Sequence, residues 1–173
     1  MSQNKTVTLI EMIVVIVIIG IISIGISNFV RQTIDIWRFL DFRNEISFEA
    51  KKALDWIIRD LKKIKDKNSI NIAQSSHINF ESSEDEDNNG VLDIIDINFL
   101  PAERTITRSI DGGVTTVPLC REVENLTFSY FDRDGNPTTI RRLIRKIRVE
   151  ITLQKKEESV NFFSVVIPRN LYR

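Results

Sequence analysis

The sequence has few of the residues that build covalent links, metal clusters or nucleophilic dyads. Among 173 residues it has one cysteine, Cys120, and one histidine, His77. A single cysteine excludes an intrachain disulfide and a cysteine metal cluster, so we predict that Cys120 is a buried small hydrophobic residue. His77 follows Ser75 and Ser76, which we interpret as loop residues, and the sequence indicates no Ser-His or Cys-His dyad. These shortages speak against an enzyme.

The sequence also has no net charge, and its N-terminal part lacks proline. The 24 basic and 24 acidic side chains balance, so no overall field attracts nucleic acid or an acidic surface. No proline occurs between residues 7 and 66, and this stretch can therefore form one continuous helix. The charge balance therefore gives no support for nucleic-acid binding. The lack of proline supports a long N-terminal helix.

The most apolar stretch of the chain lies near its N-terminus. Residues 12–30 include no charged side chain, and as a helix they span ~28 Å, close to the hydrocarbon thickness of a bilayer. Only a helix satisfies its own backbone groups in lipid. The run continues into charged amphipathic sequence instead of a small-residue cleavage site, unlike a secretory signal peptide. We predict a membrane-spanning helical half over residues 7–30.

Glu11 is the only charged residue between Lys5 and Arg31. A carboxylate at the edge of lipid is costly unless a partner pairs with it, which makes Glu11 a functional candidate. Alternatively, Glu11 lies at headgroup level beside the positive end of the helix dipole. Position alone leaves both interpretations open.

Residues 5–12, Lys-Thr-Val-Thr-Leu-Ile-Glu-Met, and the apolar run after them resemble the N-terminus of type IV prepilins and type II secretion pseudopilins. The resemblance implies a leader of residues 1–6, which prepilin peptidase removes after Thr6 before Val7 is N-methylated. Thr6 stands where the family usually has Gly, and Val7 where it usually has Phe. The resemblance also gives Glu11 a role in assembly. It implies a single-pass protein of the cytoplasmic (inner) membrane, with its N-terminus in the cytoplasm and its globular domain outside.

The helical pattern continues beyond the apolar run. Apolar residues recur at three- and four-residue spacing from Ile46 to Ile64, with charged residues on the other faces. We predict that the amphipathic half, residues 31–66, packs onto the chain's own globular region. A coiled coil is less favoured because polar residues such as Asn44 and Ser47 interrupt the heptads.

Residues 67–173 have the patterns of β structure. Candidate strands cover residues 78–81, 92–100, 104–109, 126–131, 147–153 and 162–167. A long helix across an antiparallel sheet is an α+β fold. Within the resemblance this is the pilin ladle fold. The chain length and the strand and turn over residues 126–137 resemble the larger minor members, the J-type pseudopilins and W-type minor pilins.

An acidic loop precedes the second candidate strand. Asp85, Asp87, Asn89 and Gly90 match positions 1, 3, 5 and 6 of an EF-hand loop. We hypothesise a calcium site, the one cofactor that the sequence suggests. Its candidate ligands are Asp85, Asp87, Asn89, the carbonyl of Val91, Asp93 and Asp96. On a strand the last two point to opposite faces, so at most one reaches the ion. The alternative is a solvated acidic turn.

Two further charged stretches have simpler interpretations. Residues 141–148 are rich in arginine, and we predict that they form the solvent face of a strand, with a contact to a neighbouring subunit as the alternative. Asp132, Asp134 and Gly135 are compatible with a second cation site, but the following Asn136 and Pro137 favour an ordinary hairpin turn.

The leading hypothesis is a non-enzymatic minor pilin or minor pseudopilin. Its helix would assemble with other pilin or pseudopilin subunits into a type IV pilus or a type II secretion pseudopilus, after processing by prepilin peptidase. One rival is a single-span, membrane-anchored extracytoplasmic β-domain that binds calcium or another ligand and does not polymerise. A membrane-anchored enzyme is the other, and it needs a convergent polar pocket that the sequence does not indicate.

Overall fold

The computed structural model describes residues 8–155 and 158–172, and it divides into two compact units, Met1–Asn44 and Glu45–Arg173. One helix, α1 (Leu9–Lys62), contributes residues to both units. Eight strands follow in the described residues: β1 (Ile70–Ala73), β2 (His77–Glu81), β3 (Ile94–Leu100), β4 (Thr105–Ser109), β5 (Val117–Cys120), β6 (Val123–Phe131), β7 (Lys146–Lys155) and β8 (Glu158–Val166). Short 3-10 helices occupy Arg141–Leu143 and Arg169–Tyr172.

The end of α1 comes earlier than the predicted residue 66 because the chain begins to pair with β2. Ile64 forms an isolated antiparallel bridge with Ser82, and the Lys65 amide donates to the Glu81 carbonyl at 3.1 Å. Extended pairing and helical hydrogen bonding cannot use the same backbone groups, so the helix stops at Lys62.

The second unit has two antiparallel sheets, where the sequence led us to expect one. The order is β1-β2-β3-β4-β5 in the first sheet and β6-β7-β8 in the second. The break falls after β5, where Glu122 adopts a left-handed conformation with φ 59° and redirects the chain into β6. The α+β class is confirmed, but the single sheet is wrong.

The core of the second unit is formed by one stripe of α1 and the inward faces of the strands. The buried apolar helix residues are Ile46, Ala50, Ala53, Leu54, Ile57 and Leu61. Their three- and four-residue spacing is the stripe that the sequence predicts, and its packing within the chain's own domain is confirmed. Buried and half-buried residues alternate along β7 from Lys146 to Leu153, as period-2 patterning predicts.

All six predicted strands overlap observed ones, but two strands were missed. β1 has only four residues, and β5 includes Pro118, a residue that usually argues against a strand because it lacks a donor. Arg141 and Arg142 lie in a 3-10 helix, so the prediction of one charged strand over residues 141–148 is wrong for its first half.

A buried ion pair joins α1 to the first sheet. Asp60 on the helix is fully buried, and Arg108 on β4 donates to its carboxylate from Nε at 2.6 Å and from Nη2 at 3.0 Å. The hydrogen bond to Asp60 raises the pKa of Arg108 above its ordinary value despite burial. Arg108 also contacts Glu86 of the acidic loop at 3.0 Å.

Glu86 in turn binds Lys63 just after the helix, at 2.6 Å, and Lys63 also reaches Glu84 at 2.8 Å. Burial opposes the charge on both Lys63 and Glu86. The hydrogen bonds that Lys63 donates to Glu84 and Glu86 nevertheless raise the pKa of Lys63, and those that Glu86 accepts from Lys63 and Arg108 lower the pKa of Glu86. These five side chains connect the helix end, β4 and the loop.

We expect Asp60→Ala to lower the free energy of unfolding by about 3–5 kcal/mol, since it leaves Arg108 without its buried carboxylate partner. The measurement is denaturant unfolding of the detergent-solubilised chain, followed by near-ultraviolet circular dichroism. Lys65→Ala is the matched control. It breaks an ion pair with Glu81 that is about two-fifths exposed, and it should cost less than about 1 kcal/mol. Equal unfolding midpoints for the two variants would contradict this account.

Candidate functional site

The N-terminal end of α1 is closed by a capping box. The Glu11 carboxylate accepts from the backbone amide of Thr8 at 3.1 Å and from its hydroxyl at 3.2 Å, and both contacts use Oε2. The Thr8 hydroxyl lies 3.4 Å from the Glu11 amide, which completes the reciprocal arrangement. Glu11 therefore lies in the first turn of α1 and caps the start of the helix. The predicted processing residues, Thr6 and Val7, lie outside the described residues.

The first half of α1 presents an uncovered apolar surface. Every side chain from residue 8 to residue 32 is exposed, including Leu9 at 82%. The helix is long and apolar enough to cross a membrane. Gly20 and Gly25 have open space where a side chain would begin.

The acidic loop brings three of the candidate calcium ligands together. One carboxylate oxygen from each of Asp85, Asp87 and Asp93 lies within 4.8 Å of the others. Asp93 is buried just before β3, and Asp87 is exposed. Oxygen ligands at this spacing suit a hard cation such as calcium.

Backbone amides already hold two of these carboxylates in place. Asp85 accepts from Gly90 at 2.8 Å, which lowers the pKa of Asp85, and Asp93 accepts from Glu86 at 2.8 Å. Gly90 has φ 85°, a conformation that favours glycine, so the predicted sharp turn is present. Asn89 is exposed beside Asp87, to which its side-chain amide donates at 2.8 Å. Val91 donates its amide to the Asn89 side chain.

Asp96 is not part of this cluster. It lies on β3, where one carboxylate oxygen is 2.8 Å from His77 Nε2 and 2.8 Å from the Asn79 amide of β2. Of Asp93 and Asp96, only Asp93 joins the acidic group, which agrees with their opposite directions on an extended chain. The structure therefore does not bring the candidate for the twelfth EF-hand position, Asp96, together with the clustered carboxylates. The His77–Asp96 contact was missed because it depends on strand register, which pairs Asn79 with Asp96.

The other charged segments have structural contacts. The Arg141 guanidinium donates to the backbone carbonyls of Ile70 and Asn71. Asp132 accepts from the amides of Asp134 and Asn136 at 2.9 and 2.8 Å, which confirms a turn between β6 and β7. These hydrogen bonds lower the pKa of Asp132, the one from Asn136 most.

Cys120 is buried, as predicted, and burial raises the pKa of its thiol to about 11. A thiol with that pKa is almost entirely protonated near neutral pH and reacts slowly. Ser75 and Ser76 lie in a bend, also as predicted.

An open cavity of about 560 Å³ in the second unit is lined by residues that include Trp56, Ser109 and Val117. The Ser109 hydroxyl donates to Asp111, and this hydrogen bond lowers the pKa of the carboxyl. Asp111 also accepts from the Thr115 amide at 2.9 Å. These contacts stabilise the turn after β4, which forms part of the cavity wall.

A family model described as the prokaryotic N-terminal methylation motif matches residues 1–27. Comparison with curated proteins finds no match. An apolar N-terminal helix followed by an α+β domain is consistent with a membrane-anchored, pilin-like class of protein. Over the matched motif, the N-terminal end of the chain is similar to those of type IV prepilins and pseudopilins.

Calcium binding by the loop remains a prediction. The folded loop gathers carboxylates that the unfolded chain does not, so a bound ion should raise stability by RT ln(1 + [L]/Kd), about 2.7 kcal/mol at a hundredfold excess over Kd. Extracellular modules bind calcium with Kd on the order of 10⁻⁴–10⁻³ M. We therefore expect about 10 mM calcium to raise the melting temperature of the detergent-solubilised chain, compared with chelator.

The double variant Asp85→Ala/Asp87→Ala should remove this calcium-dependent increment. Asp132→Ala changes a turn carboxylate outside the cluster and should keep this increment. If the melting temperature of the unmodified chain is identical in calcium and in chelator, the calcium hypothesis is wrong and the loop is a solvated acidic turn.

Proposed function

We propose that this chain is a minor pilin or minor pseudopilin, which assembles through α1 into a type IV pilus or a type II secretion pseudopilus. The observation that supports this most is the exposed apolar half of α1, residues 9–32, in a chain that carries the methylation motif. The second unit has a core of its own, so this helical surface is available to lipid and to the helices of other subunits.

In this proposal the chain first enters the inner membrane with its N-terminus in the cytoplasm and its β-rich domain outside. Prepilin peptidase then removes residues 1–6 and methylates the amine of Val7. Glu11 is the residue that recognises a neighbour. The capping box uses Oε2, and no described residue donates to Oε1. A carboxylate in lipid is stabilised by a nearby cation, and the freed amine of an adjoining subunit supplies one.

We expect Glu11→Val to insert in the membrane but to lose incorporation, measured by crosslinking to partner pilins in native cells. Glu11→Gln separates capping from charge, because glutamine also completes a capping box. If pairing with an amine drives assembly, Glu11→Gln fails like Glu11→Val. Normal incorporation of Glu11→Gln would assign Glu11 to helix capping alone.

Processing gives a second test. Mass spectrometry of the protein from cells with active peptidase should show loss of residues 1–6 and an added methyl group on Val7. Thr6→Gly restores the usual residue before the scissile bond and should increase the processed fraction. Thr8→Gly, two residues past the cut, is the control and should not increase it. Only intact leader in both the unmodified chain and Thr6→Gly would contradict the proposal.

The second candidate function is a membrane-anchored calcium- or ligand-binding domain that does not polymerise. The convergence of Asp85, Asp87 and Asp93 is the observation that favours it. Such a protein would show calcium-dependent melting together with unprocessed residues 1–6 and no dependence on Glu11. A pilin subunit would show processing and dependence on Glu11, with or without calcium.

A further inference from the structure

The loop between β2 and β3 contains the only Asn-Gly pair in the sequence, Asn89 and Gly90. Both residues are exposed, and neither belongs to a helix or a strand. The backbone nitrogen after an asparagine can attack the side-chain carbonyl carbon of that asparagine, because the attack closes a five-membered ring. Glycine hinders this closure least, since it has no side chain and its backbone is the most permissive. The pair is therefore a candidate for a reaction of the chain with itself.

Hydrogen bonds already surround the atoms that such a reaction would change. The Gly90 amide, whose nitrogen attacks, donates to Oδ2 of Asp85 at 2.8 Å. The side-chain oxygen of Asn89, which gains negative charge, accepts from the Val91 amide at 2.8 Å. The Nδ2 atom of Asn89, which leaves as ammonia, donates to Oδ2 of Asp87 at 2.8 Å. The nucleophile, the developing oxyanion and the leaving group each have a partner of suitable kind.

We propose that Asn89 is a self-modification site, at which the folded loop converts this asparagine to aspartate and isoaspartate without another enzyme. The nitrogen of Gly90 attacks Cγ of Asn89 with the electron pair perpendicular to the peptide plane, while its in-plane proton passes to Asp85. The Val91 amide stabilises the oxyanion that forms on Oδ1, as a preorganised backbone donor does in acyl transfer. Asp85 returns the proton through solvent to Nδ2, the Cγ–Nδ2 bond breaks, and ammonia leaves a cyclic imide.

Water completes the reaction by adding to one of the two imide carbonyl groups. If the bond between the Gly90 nitrogen and Cγ breaks, the product is an ordinary aspartate. If the bond between this nitrogen and the main-chain carbonyl carbon of residue 89 breaks, the product is isoaspartate. One water is consumed and one ammonia is released, so the reaction requires no oxidant, reductant or cofactor.

The surroundings of the pair allow these steps. A Cβ atom added to Gly90 would have no heavy atom within 4 Å, and φ of this residue is 85°. The chain therefore has room for ring closure on this side. The hydrogen bond from Gly90 lowers the pKa of Asp85, so this carboxylate is ionised near neutral pH and is able to accept a proton.

The product changes the electrostatics of the loop. Asn89 now donates to the Asp87 carboxylate, and the modification replaces this donor with a second carboxylate oxygen. Like charges at this separation repel, so an attractive contact becomes a repulsive one. The change adds one negative charge and does not reverse, so it accumulates with the age of each molecule. It depends neither on a bound metal nor on assembly through α1.

Asn136 provides an internal control within the same chain. It lies in the turn between β6 and β7, it is exposed, and its Nδ2 atom donates to Asp132 at 3.4 Å. The next residue is Pro137, whose nitrogen has no proton to lose. We therefore expect Asn136 to stay unmodified under conditions in which Asn89 reacts.

The test is incubation of the detergent-solubilised full chain near neutral pH in chelator, followed by peptide mass spectrometry with fragmentation that distinguishes aspartate from isoaspartate. We expect both products at Asn89, at a rate at least about tenfold higher than in the same chain unfolded in urea, where the three contacts are lost. An equal or lower rate in the folded chain would overturn the proposal. Aspartate without isoaspartate would also overturn it, because direct hydrolysis of the side chain gives aspartate alone.

A matched pair of variants tests the proton acceptor. Asp85→Asn keeps an oxygen that accepts from Gly90 but does not take up its proton, so the rate at Asn89 should fall to that of the unfolded chain. Asp132→Asn makes the same change at a turn carboxylate outside this loop and should keep the rate of the unmodified chain. Near-ultraviolet circular dichroism confirms that each variant is folded. A folded Asp85→Asn chain that reacts as fast as the unmodified chain would show that Asp85 is not the proton acceptor.

Discussion

The ion pair between Asp60 and Arg108 is the contact on which the second unit depends. A fully buried carboxylate is stable only with a partner that returns the free energy of its lost hydration, and Arg108 supplies two hydrogen bonds. The same guanidinium lies 5.6 Å from the Trp56 ring centroid and binds Glu86. One side chain therefore fixes the last turns of α1, the β4 strand and the start of the acidic loop relative to one another.

This network holds the acidic loop in a definite shape. Glu86 is held by Lys63 and Arg108, and its amide in turn binds Asp93. Asp85 and Asp87 lie on either side of this fixed residue, so two of the three clustered carboxylates come from its immediate neighbours. A cation would meet ligands whose conformational entropy has already been reduced, and a preformed site loses less on binding.

Local sequence patterns predicted most helices and strands, but they could not predict contacts between residues that are far apart in the sequence. The α1 stripe, the alternation of β7 and the turn at Gly90 depend on spacing within a few residues, so the sequence contains their signal. Asp60 and Arg108 are 48 positions apart, and Arg141 reaches across 71 positions to β1. His77 and Asp96 meet only once strand register is set. Composition and periodicity hold no information on such pairs, or on the division of the strands into two sheets after β5.

The two halves of α1 differ in how much of their apolar surface is buried. Between residues 46 and 61 its apolar stripe is buried by the domain's own strands, whereas the side chains of residues 9–32 are exposed. Apolar surface left in water costs about 25 cal/mol per Å², so that half is suited to lipid or to other helices. At the start of this half, the Glu11 carboxylate is stabilised both by the Thr8 amide and by the positive end of the helix dipole. In the proposed assembly, a cation of an adjoining subunit would add to these two contributions.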